Sequence, residues 1–413
     1  MNPRIAANQL RTFLALLGQV QPHLHSDSAL PRRIQELLSR NRALGSRDRR
    51  LYRELLYTAI RFLPWIKPLL ARDPEIAGRA VAILAPDLPE TTGYRTALLD
   101  GLGIDGSDAT LSRKAAQLQS TWGGDYSLSG LLPSWLQAEC PAAFESPHIE
   151  ALNTRANLWV RLQTIDHSLV LNEFTARGWA YRIMPDFTDA VCLPPNADLA
   201  RTDALRRGFC EIQDLGSQLV LRQVSPDPGS LWLDACAGAG GKSLQLAQMI
   251  GSSGRVDATD IRPDALNELQ ERAIRGRFSN IRILPSVRAD DLYDGVLVDA
   301  PCSGTGTWRR LPHMKWYTQP AMLDAFASTQ LGILSKAANQ VRSGGLLVYA
   351  TCSLARRENH GVVSDFLARS KAFTAEAPRL ALGVFDGLGS TLLPGTLDTD
   401  GFYVAILRRN ASV

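Results

Sequence analysis

Apolar positions follow a helical period in the first third of the chain and a strand-like one later. In RDRRLYRELLYTAIRFLPWI (47–66) apolar residues recur at helical spacing (Leu51 and Leu55; Tyr52, Leu56, Ile60 and Leu63), with arginines on the opposite face and Ser46 as an N-cap. This predicts one amphipathic helix, preceded by others at roughly 4–20 and 31–43, within an all-helical first 130 residues. The Gly/Ser/Asp-rich stretches GLGIDGSD and WGGDYSLSG, within 101–130, predict a loose connection. From 131 to 228 the character changes: a helix near 132–140, then short apolar runs (LWVRLQT, YRIM, AVCLP, FCEIQD) around a helix near 168–177, a small mixed α/β unit. Beyond the turn SPDPGS (225–230), the runs SLWLDA, RVDATD, NIRIL, DGVLVDA and GGLLVYATC alternate with helix-length segments. That alternation predicts a mostly parallel sheet with helical crossovers, which binds ligands beyond the carboxyl ends of its strands. The expected division is 1–128, 129–228 and 229–413, with no internal repeats.

Composition adds few constraints. With 45% hydrophobic and 21% charged residues over 413 positions, the chain reads as a soluble globular protein of two or three domains. No apolar run is long enough to span a membrane, and TFLALLGQV, preceded by Arg11, lacks the cleavage site of a signal peptide; a cytoplasmic monomer is expected. The six cysteines stand singly, without C-x-x-C pairs or histidines at ligand spacing, so neither a metal site nor a disulfide framework is expected. Charge is uneven. Residues 1–70 hold twelve Lys/Arg against four acids, whereas the whole chain carries +4. A basic helical module, including Arg47 and Arg50, suits either a polyanionic partner or a solvated face.

Chemistry concentrates at the ends of the later strands. LDACAGAGGKSLQLAQ (233–248) places Gly238, Gly240 and Gly241 where a strand turns into a helix, and Asp260 ends the next strand 19 residues after Gly241. That is the spacing at which a carboxylate reaches a ribose, and with the Walker pattern broken by Cys236 it favours a nucleoside ligand over a triphosphate; a purely structural turn is the alternative. Asp299 and Cys302 follow one strand in DAPCSGTG, and Cys352 follows another in YATCS. Each cysteine alone reads as a small core hydrophobe, but their matching placement argues against that. Between them TWRRLPHMKWY (307–317) interleaves Arg309, Arg310 and Lys315 with Trp308, Trp316 and Tyr317, a pattern suited to phosphates and stacked bases or to ordinary helix packing.

CAGAGGK, DAPCSGTGTWRR followed by KW, and YATCS followed by Glu358-Asn359 resemble the successive signatures of the RNA (cytosine-5) methyltransferases of the Nol/Nop/Sun family, nearest to its bacterial small-subunit rRNA branch. The likeness extends upstream through LPSWL, RANLWVRLQ and EIQDLGSQL, and more weakly into a helical N-terminus that resembles a NusB-like RNA-binding module. The resemblance implies a Rossmann-like α/β methyltransferase domain, S-adenosylmethionine as cofactor and RNA, chiefly rRNA, as partner. It implies Cys352 as nucleophile toward carbon 6 of cytosine, Asp299 as partner of ring nitrogen 3 lying also against the cofactor, and Cys302 as the residue assisting release. Lys315 is expected either to lower the thiol pKa or to hold a phosphate. Cys236, Ala237, Gly238, Ala239, Gly240, Gly241 and Lys242 are expected around the methionine portion, with Asp260 at the ribose; Arg47, Arg50, Arg309, Arg310 and Lys315 are expected to meet RNA.

Three departures stand out. The acid that usually closes the third strand is replaced by Pro285-Ser286, leaving Asp290, Asp291 or Ser286 as substitutes; Gly238-Ala239 stands for Ala-Pro, and His313 for an aspartate. A DNA cytosine methyltransferase would attack with Cys302 and leave Cys352 unexplained, and an amino-group methyltransferase would carry an Asn/Asp-Pro-Pro-aromatic loop. An RNA-binding assembly or antitermination factor on an inactive methyltransferase body is the remaining alternative, favoured by the missing third-strand acid and opposed by the intact Asp299, Cys302 and Cys352.

Overall fold

The computed structural model describes residues 3–102 and 110–411; most of the expected linker GLGIDGSD lies outside the described residues. The chain forms two compact units, one of residues 1–155 with 308–319, the other of residues 156–307 with 320–413.

The first unit is helical. Its described helices include α1 (Pro3–Val20), α2 (Leu30–Arg40), α3 (Ser46–Arg61), α4 (Leu63–Arg72), α5 (Pro74–Leu84), α6 (Thr92–Leu99) and α7 (Leu111–Trp122). In α3 the apolar stripe Leu51, Tyr52, Leu55, Leu56, Ala59 and Ile60 is buried, as its spacing requires, against Phe13, Leu16, Leu17, Ile66 and Val81 of the same core. The expected single helix over 47–66 is two. Phe62 leaves helical geometry at φ −105° and ψ 28°, because Pro64 has no N–H to donate and crowds the residues before it. The cap also differs: Gly45, not Ser46, precedes the first turn, and Asp48 reaches back to accept from the Gly45 N–H at 3.1 Å.

Residues 308–319 complete this unit. Trp308 is fully buried and meets Trp135 edge-to-face at 5.9 Å, and the indole N–H of Trp316 donates to the carbonyl of Ile60 at 2.7 Å. Of the two uses open to these aromatics, packing is the one observed.

The second unit contains two sheets. Strands β1 (Leu158–Leu162), β2 (Arg182–Met184), β3 (Phe187–Leu193) and β4 (Cys210–Ile212) form an antiparallel sheet in the order β2-β3-β1-β4, with helix Ser168–Ala176 between β1 and β2, matching the expected mixed α/β pattern. The larger, nine-stranded sheet runs β11-β12-β13-β9-β8-β5-β6-β7, with β10 also on β13. Its members are β5 (Leu231–Asp234), β6 (Arg255–Ala258), β7 (Ile281–Ile283), β8 (Tyr293–Asp299), β9 (Val341–Thr351), β10 (Phe373–Glu376), β11 (Val384–Phe385), β12 (Ser390–Leu392) and β13 (Phe402–Arg409). Strands β7, β6, β5, β8 and β9 are parallel, and β10 to β13 form an antiparallel flank. Val296, Leu297 and Val298 are buried in succession, as a strand covered on both faces demands.

From β5 the chain steps to β6 and β7 on one side and to β8 and β9 on the other. That reversal opens a crevice at the carboxyl ends of β5 and β8, where loops diverge to opposite sides. Among the described residues no helix is long and apolar enough to cross a membrane.

Candidate active site

The crevice starts at the loop after β5. Gly238 and Gly240 adopt φ +53° and +87°, and a Cβ on Gly240 would come within 2.1 Å of Leu269 Cδ1, so this backbone needs glycine. A Cβ on Gly241, the first residue of helix Gly241–Ile250, would point into open space. The loop thus presents bare backbone at a helix N-terminus, with room for a ligand to approach.

Two carboxylates anchor that loop. Asp260 accepts from the Gly238 N–H at 2.8 Å and from Arg262 through N–H, Nε and Nη2 at 2.9, 2.9 and 3.1 Å. Burial pushes its carboxyl up, but the Arg262 side chain and the two backbone N–H groups outweigh burial and hold it below its ordinary range. The donor set fits a nucleoside: Arg262 is 66% exposed and so cheaply displaced, and a ribose diol can take its place on a carboxylate that stays ionised. Buried Asp234 closes β5 and accepts from Ser243 Oγ at 2.7 Å and from the Cys236 N–H at 3.3 Å. Sequence reading missed Asp234, although it ends its strand as Asp299 does.

Burial lifts the Asp234 carboxyl to about 7, opposed by the Ser243 hydrogen bond and reinforced by the charge of Asp299. The unfolded chain releases this proton near 3.8 and the folded chain only near 7, so the folded state carries the extra proton between them. Stability from this group therefore falls as pH rises through that window, by on the order of 4 kcal/mol at ~1.4 kcal/mol per pH unit. Asp234→Asn, whose amide can still meet Ser243 and the Cys236 N–H, is expected to lose this component: thermal melts at pH 5 and pH 8 should differ less than in the wild type. An unchanged difference would show that Asp234 ionises normally.

Lys242, buried on the second residue of the same helix, crosses to β8. Its ammonium donates to Asp299 Oδ2 at 2.8 Å and Ser217 Oγ at 2.9 Å and lies 4.9 Å over the Phe402 ring. The sequence placed Lys242 and Asp299 each near a ligand but gave no sign of their ion pair, or of Ser217 and Phe402 beside it. Cys236 lines the loop as a neutral wall, since burial pushes its thiol up to about 12.

The two remaining cysteines meet. Parallel pairing sets Asp299 of β8 against Ala350 of β9, and the next turns bring Cys302 Sγ and Cys352 Sγ within 3.4 Å. Both cysteines are half-buried residues. The contact with Cys352, and then burial, raise the Cys302 pKa well above its ordinary value, so Cys302 stays a thiol at neutral pH. The turns are laced to each other: the Gly306 N–H donates to the Cys352 carbonyl at 2.9 Å and the Leu354 N–H to Thr305 Oγ1 at 2.6 Å.

Other expected site residues sit elsewhere. Lys315 Nζ is buried in the helical unit and donates to the carbonyls of Arg61 and Leu131 at 2.8 and 3.2 Å and to Asn153 Oδ1 at 2.6 Å. Burial lowers its pKa well below the ordinary lysine value, and its three donors are all engaged within that unit, leaving none for a phosphate. Arg309 is buried as well, and its carbonyl accepts from Arg61 Nη2 at 2.9 Å; the phosphate contact expected of it has no exposed donor. Arg310 is half-buried, and Arg47 and Arg50 are exposed on α3. His313 is buried against the Ser28 carbonyl at 3.1 Å. Past β7, Ser286 is exposed, Asp290 pairs with Arg288 Nη2 at 3.2 Å, and Asp291 accepts from the Arg288 N–H at 3.2 Å.

A parallel sheet reversing at β5, a glycine loop beneath a helix N-terminus and a carboxylate after β6 define a Rossmann-like methyltransferase. Residues 221–408 match the family model described as 16S rRNA methyltransferase RsmB/F. The chain is 32% identical to ribosomal RNA small subunit methyltransferase B of Klebsiella pneumoniae over 301 residues, 68% of this chain and 67% of that one. It is 28% identical to the protein of the same name from Pectobacterium carotovorum over 97% of this chain and 99% of the relative. Among solved structures, PH0851 aligns with a TM-score of 0.71 at 19% identity over 99% of both chains. NSun6 from Pyrococcus horikoshii, solved with SFG, aligns at 0.61 and 17% identity, covering 70% of this chain and 99% of that one. The chain belongs to the RsmB/F family of 16S rRNA methyltransferases, and its methyl donor is S-adenosylmethionine.

Proposed function

We propose that the protein methylates carbon 5 of a cytosine in small-subunit rRNA through a covalent bond between Cys352 and carbon 6. The observation that carries this reading is the pair of thiols 3.4 Å apart at the carboxyl ends of β8 and β9, directly beyond Asp299. Carbon 5 of cytosine is a poor nucleophile. The Cys352 thiol releases its proton to solvent and its sulfur adds to carbon 6; the ring double bond shifts its electrons toward nitrogen 3 and carbon 5, making carbon 5 reactive. Asp299 passes a proton to nitrogen 3 as negative charge gathers there, and Lys242 holds the carboxylate left behind. S-adenosylmethionine supplies an electrophilic methyl group, held by the loop from Cys236 to Lys242 with Asp260 at the ribose. The carbon 5 proton then passes to solvent, nitrogen 3 returns its proton to Asp299, the carbon–sulfur bond breaks and the ring double bond re-forms, with Cys302 assisting release by giving its thiol proton to the departing sulfur.

The target base must stand outside a duplex for a thiol to reach its ring, so it lies in a loop or is flipped out. The helical unit, whose sequence over 1–128 resembles a NusB-like module, grips rRNA through phosphates at exposed Arg47 and Arg50, with Arg310 as a further contact. Bisulfite sequencing of 16S rRNA from cells with and without the gene tests this directly. One cytosine protected only when the gene is present is expected. Identical patterns would favour the RNA-binding factor over the enzyme.

A further inference from the structure

Glu358 takes no direct part in the chemistry above, yet four hydrogen bonds converge on it beside the two cysteine-bearing turns. It follows β9 in a single wide helical turn, Arg357–Gly361, and its side chain is fully buried. Oε1 accepts from the Ser303 N–H at 2.9 Å and from Gln330 Nε2 at 3.0 Å. Oε2 accepts from Ser303 Oγ and, at 2.6 Å, from Ser353 Oγ. Ser303 directly follows Cys302, and Ser353 directly follows Cys352. One carboxylate therefore holds the residue after each thiol, while Gln330 also donates to the carbonyl of Pro301, just before Cys302, at 2.9 Å.

We propose that Glu358 is a positioning residue: it clamps the two cysteine-bearing turns together and thereby sets the contact between Cys302 and Cys352. The inference rests on the cysteine mechanism for its consequence in catalysis, but the clamp itself is a statement about geometry. Two N–H groups converge on Oε1 and two hydroxyls on Oε2, so every partner of the carboxylate belongs to or adjoins a cysteine-bearing turn. A glutamine in its place turns an N–H₂ either toward the Ser303 N–H and Gln330 Nε2, which can only donate, or toward the two serine hydroxyls, which must then accept and find new acceptors for their own protons; either change pulls the turns into a new arrangement. The ties through Thr305 and Gly306 do not involve Glu358, so the turns remain attached without it but lose their register at the thiols.

The test uses full-length Glu358→Gln and two readouts. The first is steady-state methylation, where kcat should fall about 100-fold, the scale on which a misplacement of about 1 Å acts, while KM for S-adenosylmethionine stays at the wild-type value. The second is independent of activity. Diamide takes two protons and two electrons from a pair of touching thiols, and the 302–352 disulfide is quantified by peptide mass spectrometry. The wild type should form it readily, and Glu358→Gln at least about tenfold more slowly. Equal disulfide rates in the two folded proteins would overturn the clamp, whatever the activities. If Glu358→Gln fails to melt cooperatively, the Ser303→Ala/Ser353→Ala double variant replaces it under the same criteria. Were the wild type to show no cytosine methylation, the disulfide rates would still decide the clamp, so its failure and that of the assigned reaction are separable.

Discussion

Cys352→Ala is expected to bring methylation of 16S rRNA below detection, a fall of at least about 10⁴-fold in kcat, and to yield no protein–RNA complex that survives denaturation. The size follows from the role: without a group that adds to carbon 6, the ring has no route to a nucleophilic carbon 5, and positioning alone does not replace a missing bond. Cys302 is assigned the later proton step and not the attack, so it should not restore methylation when residue 352 is alanine. The cofactor loop lies on β5 and its helix, so S-adenosylmethionine binding measured by calorimetry should be unchanged. A covalent complex persisting in Cys352→Ala would sink the assignment and transfer the attack to Cys302.

Cys302→Ala is expected to do the opposite: to accumulate a denaturant-resistant complex while turnover falls. Attack by Cys352 and transfer of the methyl group need no second thiol, but expulsion of Cys352 needs the proton that Cys302 gives its sulfur, so the chain stalls after the bond to RNA has formed. Labelled RNA co-migrating with the protein on a denaturing gel reads the accumulation, and multiple-turnover assays read the loss. Wild-type turnover without a stable complex would argue that another group handles the proton. The two substitutions lie 3.4 Å apart at the sulfur atoms, yet one should abolish the adduct and the other preserve it. A shared packing role for the two cysteines would not produce that asymmetry.

Sequence reading reached the sheet, its loops and the meeting of the cysteines for one physical reason. Buried parallel strands are written as short, nearly continuous apolar runs, and their carboxyl ends are where polar side chains can gather. VLVDAPCS and VYATCS therefore announced both the strands and the place where they deliver their thiols. What escaped were partnerships between residues far apart in the chain. Lys242 and Asp299 stand 57 positions apart, and nothing in either segment's periodicity shows that the ammonium of one meets the carboxylate of the other. Lys315 and Arg309 were read as contacts to RNA; instead Lys315 donates to Arg61, Leu131 and Asn153, and the Arg309 carbonyl accepts from Arg61, all more than 150 residues earlier, where no local pattern refers to them. Glu358 was visible only as part of a motif, because its four donors come from three separate segments.

Residues 308–319, counted with the helical unit, have a consequence for the order in which this protein is made. The ribosome delivers residues 1–155 first, but Arg61, Leu131 and Asn153 then wait for the ammonium of Lys315, and the carbonyl of Ile60 for the indole of Trp316. Vectorial synthesis places β5 to β8 between these partners in time. The N-terminal helices can collapse early around their own apolar stripes, but their polar interior closes only after residue 319 of 413 has left the exit tunnel.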